Sequence, residues 1–205
     1  MDKLSKIAKG LDTFFKILLR IWAVGMVIGV FGILLAGYLA LGGWNLFEET
    51  GVSMLKNLNF GMLSLNLAPD VPVADGVGLT YTIVLLIVGV LAIPVFYLMI
   101  RFIRNILKPM IEKEPFHETL AVNLKRLAWV VIAHGVLEEI YEFINYSFIL
   151  KNVDLKSLFI NEKISSITLN HTIQIDFIVF AVVLFLLSHV FKYGQELQQL
   201  SDETL

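Results

Sequence analysis

Residues Ile21 to Gly43 read IWAVGMVIGVFGILLAGYLALGG, without a single charge. About 20 mainly apolar residues are enough for a helix to cross the hydrocarbon core of a bilayer, so this stretch decides the solvent in which the chain folds. Three more stretches answer to the same description. Leu79 to Ile103 is uncharged until Arg101. Leu124 to Ile149 is apolar but carries His134, Glu138, Glu139 and Glu142. Ile173 to Phe191 has Asp176 near its start and His189 near its end. Hydrophobic residues make up 57% of the 205-residue chain and the mean hydropathy is +0.78, above the roughly 45–50% apolar content of soluble domains. The expected fold class is therefore an all-α membrane protein. It is a four-transmembrane-helix bundle forming one domain over 1–205, with helices at about 21–43, 79–103, 124–149 and 173–191. Outer loops at 44–78 and 150–172 and an inner loop at 104–123 connect them.

The first stretch is longer than the roughly 7–15-residue core of a signal peptide, lacks a convincing cleavage motif and follows some twenty residues rich in charge, so it reads as a retained helix. Orientation follows from lysine and arginine, which concentrate on the cytoplasmic side. Lys3, Lys6, Lys9, Lys16, Arg20, Arg101, Arg104, Lys108, Lys113, Lys125, Arg126 and Lys192 fall on one side, and Lys56, Lys151, Lys156 and Lys163 on the other. Twelve against four predicts both termini on the cytoplasmic side of a multi-pass membrane protein. The absence of cysteine excludes disulfides, thiolate metal sites and a cysteine nucleophile.

Leu4, Ile7, Ala8, Leu11, Phe14, Phe15 and Leu18 recur at helical spacing among lysines. Such a segment either lies flat on the inner leaflet or extends helix one inward. Gly25 and Gly29 give helix one the small-xxx-small spacing that permits close helix packing, within this chain or in a homo-oligomer. Pro94 is expected to kink helix two. In the first outer loop Leu63, Leu65 and Leu67 alternate with Ser64, Asn66 and Ala68, the period of a half-buried strand. Leu158 to Ile160 and Ser166 to Leu169 repeat the theme in the second loop. Isolated hairpins are marginal in water, so the two outer loops are expected to pair as small extracytoplasmic β elements.

Leu107-Lys108-Pro109, Pro115-Phe116 and Asn123-Leu124-Lys125-Arg126-Leu127-Ala128, with the ending Phe191-Lys192-Tyr193-Gly194-Gln195-Glu196-Leu197 and Ser201-Asp202-Glu203-Thr204, resemble a bacterial membrane family catalogued as domain of unknown function 2975. The resemblance implies four helices in about this length, in a family with no established biochemical activity. Because members of that family often accompany small helix-turn-helix regulators, it also implies a membrane component of a signalling pair with a cytoplasmic transcriptional regulator as partner. On that reading Pro115, Phe116, Asn123, Arg126, Gly194 and Leu197 are the partner-facing residues.

The polar residues of helix three are the candidate site. His134, Glu138 and Glu142 are spaced by four and share a face, with Glu139 beside them. A charge at mid-bilayer costs about 2.5–3.5 kcal/mol on insertion scales, so such groups face protein or water and have partners. An antiparallel helix four would set Asp176 level with Glu142 and His171 just above. Three readings stay open: a metal or proton site of His134, Glu138, Glu142, Asp176 and His171; an acidic pocket for a cation; or an outward bend that leaves Glu139 and Glu142 in water while His134 and Glu138 hydrogen-bond to other helices. No phosphate-binding glycine loop, His-Glu-x-x-His or Gly-x-Ser-x-Gly occurs. No basic helical module stands clear of the membrane to bind nucleic acid directly. The expected function is thus non-enzymatic and cofactor-free, a sensor or regulatory component. A transporter or channel using the acidic face of helix three, or an immunity protein protecting the envelope, is the alternative.

Overall fold

A computed structural model describes residues 3–41, 46–60, 63–68, 71–112, 117–154 and 172–203. Among them are five helices: α1 (Lys3–Leu41), α2 (Leu46–Leu55), α3 (Val77–Glu112), α4 (Glu118–Asn152) and α5 (Asp176–Glu203). Two short strands, β1 (Asn57–Phe60) and β2 (Leu63–Asn66), lie between α2 and α3. Four helices, α1, α3, α4 and α5, are long and apolar enough to cross a membrane.

Each of these helices outruns its apolar stretch. α1 is continuous from Lys3, so the amphipathic segment before Ile21 is an extension of helix one. α3 continues past Ile103 to Glu112, through both Pro94 and Pro109. α4 begins at Glu118, and α5 runs on to Glu203. Most of the expected inner loop at 104–123 is therefore helix. Lys, Glu, Gln and Leu are good helix formers in water as well as in lipid, so the helix does not stop where the apolar run does.

The described residues divide into two compact units. The first comprises 1–28, 91–137 and 174–205. Here α1 and α3 run antiparallel. Ser5 Oγ donates to the Ile111 carbonyl at 3.1 Å, Arg104 Nε to Asp12 Oδ1 at 2.9 Å, and Trp22 stacks on Phe96 with ring centroids 5.7 Å apart. α4 and α5 are antiparallel too. Ser188 Oγ donates to the Ala121 carbonyl at 2.7 Å, and Trp129 meets Phe185 edge-on at 5.5 Å. At Gly135 a Cβ would overlap the Phe177 ring, so this glycine is what lets the aromatic in. α4 buries Leu120, Ala121, Leu124, Leu127, Ala128 and Val130.

The second unit comprises 29–90 and 138–173. β1 and β2 form an antiparallel hairpin in which Asn57 pairs with Asn66 and Phe60 with Leu63. The alternating leucines thus have a strand partner inside the same loop. The expected strand segments at 158–160 and 166–169 lie outside the described residues, as does any sheet shared between the loops. α2 was not anticipated. It is only ten residues long, with Gly51 inside it, where glycine costs about 1 kcal/mol against alanine. The cost has a reason: a Cβ at Gly51 would overlap the Gly78 carbonyl, and one at Gly78 the Glu48 carbonyl, so the two helices meet backbone to backbone. Thr82 Oγ1 donates to the Phe47 carbonyl at 2.8 Å and fastens the same contact.

The glycines of α1 behave differently. Around Gly25, Gly29 and Gly32 a Cβ would meet nothing within 4 Å. The small-residue stripe is not used for packing within the described residues of this chain.

Candidate functional site

In the second unit, the Tyr81 hydroxyl donates to Asn145 Oδ1, and the Tyr81 ring lies 5.1 Å from Phe148. Asn145 is therefore level with the second turn of α3. Glu142 lies three residues before Asn145 and Glu138 seven, which at about 1.5 Å per residue is roughly 4.5 Å and 10 Å further along α4. Glu138 and Glu142 are exposed; Glu139 is half-buried. Glu138 and Glu139 each have an interacting partner.

His134 belongs to the first unit, is half-buried and likewise has a partner. Asp176 opens α5 and is exposed. Since Phe177 packs on Gly135, the first turn of α5 is level with His134. His171 lies outside the described residues. Among the described residues no group of three or more His, Asp or Glu side chains is gathered as a metal ion would require.

The partner-facing set also divides. Arg126 and Leu197 are exposed and Gly194 is half-buried. Asn123 is only 6% exposed, so it serves the packing of α4 and is withdrawn from any docking surface. Pro115 and Phe116 lie outside the described residues.

Two polar clusters were not anticipated. In the first unit, Asp12 is 8% exposed. It accepts from Arg104 on α3 at 2.9 Å and from Lys16, one turn along α1, at 2.8 Å. The one available signal was an acid set four residues before a lysine in an otherwise basic segment. In the second unit, Glu48 of α2 caps α3: the Gly76 and Gly78 amides donate to Oε1 at 3.1 and 3.3 Å, and the Leu79 amide donates to Oε2. A carboxylate at the amide end of a helix satisfies orphan donors and complements the helix dipole. Gly76, at φ 78°, adopts the left-handed conformation that turns the chain into this cap. No local motif announces it, because donor and acceptor are 28 to 31 residues apart.

Comparison with protein-family models, curated proteins and solved structures finds no match.

Proposed function

We propose that this chain is a non-enzymatic, multi-pass protein of a bacterial plasma membrane, with both termini inside, that couples an outer or intramembrane signal to a cytoplasmic partner such as a small helix-turn-helix regulator. One observation carries the reading: α1, α3 and α4 each run unbroken from the residues of one unit into those of the other. A continuous helix of 35 to 39 residues is about 53–58 Å long at 1.5 Å per residue, well beyond the ~30 Å hydrocarbon core. Glu48 fixes where α3 begins, and the Asp12–Arg104 pair ties α1 to the far end of α3. Of the segments resembling the signalling-associated family, Leu107-Lys108-Pro109 lies at that far end, and Lys125 and Arg126 are exposed in the first turns of α4. A transport path through helix three draws no comparable support, because the described acids and histidines are not gathered into a common ligand set.

The test has two parts. Reporter fusions after Pro69 and Asn161 should be active outside, and fusions after Pro115 and Leu205 inside; a cytoplasmic signal at Asn161 would sink the topology. With the topology in hand, the neighbouring genes should include a small helix-turn-helix regulator that the purified chain binds in nanodiscs, and Arg126→Glu should abolish that binding. Equal binding by wild type and variant, or none by either, removes the coupling role.

A further inference from the structure

α5 carries an apolar seam that its own unit does not cover. Val179, Val183, Leu186, Val190, Tyr193, Leu197 and Leu200 follow one another at alternating spacings of four and three, and all are between 48% and 64% exposed. They lie opposite the side by which α5 packs, marked by the buried Ala181 and Ser188 and the half-buried Phe191 and Gln195. Lipid accounts for exposed apolar groups only as far as about Val190. Beyond it the exposed neighbours are Lys192, Glu196, Gln198, Gln199, Ser201 and Glu203, a surface made for water. Yet Tyr193, Leu197 and Leu200 continue the seam in register. A strict 3.5-residue repeat is the signature of helices that supercoil around one another, and membrane helices commonly pack with the same crossing geometry.

We propose that the seam is the interface between two copies of this chain, in which two α5 helices pair in parallel about a twofold axis. Copies sharing one membrane with one topology present α5 in the same direction, so each seam residue meets its own counterpart. That shared plane rests on the membrane reading above. The seam composition fits two strands: β-branched Val183 and Val190 alternate with Leu186, the order that favours parallel dimers. No like charges are forced together. The positions flanking the tail of the seam are Glu196 and Glu203 on one side and Gly194 and Ser201 on the other. In a parallel pair each flank meets the opposite flank of its neighbour, so Glu196, held at 3.7 Å by Lys192, faces Ser201. The seam is continuous from Val179 to Leu200, about 30 Å of α5 at 1.5 Å per residue, so the contact carries on from the apolar run into the polar tail. The proposal assigns Leu197 to a second copy rather than to a cytoplasmic regulator, and places self-association on α5 rather than on the glycines of α1.

Because the chain has no cysteine, single substitutions report directly. Tyr193→Cys, Leu197→Cys and Leu200→Cys, each alone in the full-length protein in nanodiscs, should give disulfide-linked dimers on mild oxidation. Gln195→Cys and Gln199→Cys should not. Leu197→Glu should raise the dimer dissociation constant in detergent at least tenfold, leaving the melting of the monomer unchanged. A monomeric wild type by light scattering overturns the proposal. If Tyr193→Cys and Leu197→Cys are then shielded from an impermeant maleimide, the tail lies on lipid; if they label freely, the seam awaits a different protein. Cross-linking at Gly25→Cys and Gly29→Cys, with none along α5, overturns it in favour of α1. The topology fusions succeed or fail independently, so failure of the membrane reading is distinguishable from failure of the dimer.

Discussion

Asp12 and Arg104 are 92 residues apart in the chain and 2.9 Å apart in space. The pair joins the first three turns of α1 to the part of α3 that lies beyond its apolar run. The aspartate is nearly enclosed, the guanidinium about a quarter exposed. An exposed pair is worth about 0–1 kcal/mol and breaking a fully buried one costs roughly 3–5 kcal/mol. This pair lies between those limits.

Arg104→Ala should accordingly lower stability by about 1–3 kcal/mol, because Asp12 keeps Lys16 but loses its interhelix partner. Asp12→Asn should cost less, since the amide still accepts a hydrogen bond. A double-mutant cycle on thermal melting in detergent should give a coupling above 1 kcal/mol. Additivity within ~0.3 kcal/mol would mean that the pair is a surface contact only.

Glu48 makes a sharper local claim. Removing a capping acceptor costs about 0.5–2 kcal/mol, and three amides depend on this one carboxylate. Glu48→Ala should speed hydrogen exchange at Gly76, Gly78 and Leu79 while leaving the amides of α5 untouched. Uniform change along the chain, or none, counts against a cap.

How much of this was legible follows from what each feature depends on. The four apolar runs show in the sequence because lipid imposes a length on every crossing helix, whatever its neighbours. The inward extension of helix one showed as one of two readings, whereas that of α5 past Lys192 did not, because hydropathy falls there while helix propensity does not. α2 is ten residues with a glycine inside, and only the approach of Gly78 explains that glycine. Asp12 and Glu48 find partners 92 and about 30 residues away, and pattern within a window cannot reach that far. On helix three, the i, i+4 spacing of His134, Glu138 and Glu142 was plain, but it sets a shared face without saying what that face meets.

The glycines provide a contrast within one chain. Gly78→Ala and Gly135→Ala put a methyl group into backbone or ring and should destabilise by roughly 1–3 kcal/mol. Gly25→Ala and Gly29→Ala meet open space and should be neutral, or stabilising by up to ~1 kcal/mol through helix propensity. Melting of the four variants side by side decides the matter. Destabilisation by Gly25→Ala would show that something packs on α1 after all.

Glu138 tests the acidic face. The residue is exposed on α4 and has an interacting partner, and the described acids do not form a metal-binding group. Glu138→Gln keeps the shape and most hydrogen bonding while removing the charge, so it should melt within about 1 kcal/mol of wild type. Glu138→Leu removes the charge and the carboxylate's interaction together, and at an exposed position it should change melting by no more than about 1 kcal/mol. The ligand reading predicts something else. An ion that binds only the folded chain raises its melting temperature by mass action, and His134→Ala and Glu138→Leu would each erase that rise. We expect millimolar zinc or magnesium to leave wild-type melting unchanged. A divalent-dependent rise in the wild type, lost in both variants, would reverse the assignment and make helix three an ion site rather than a hydrogen-bonded helix face.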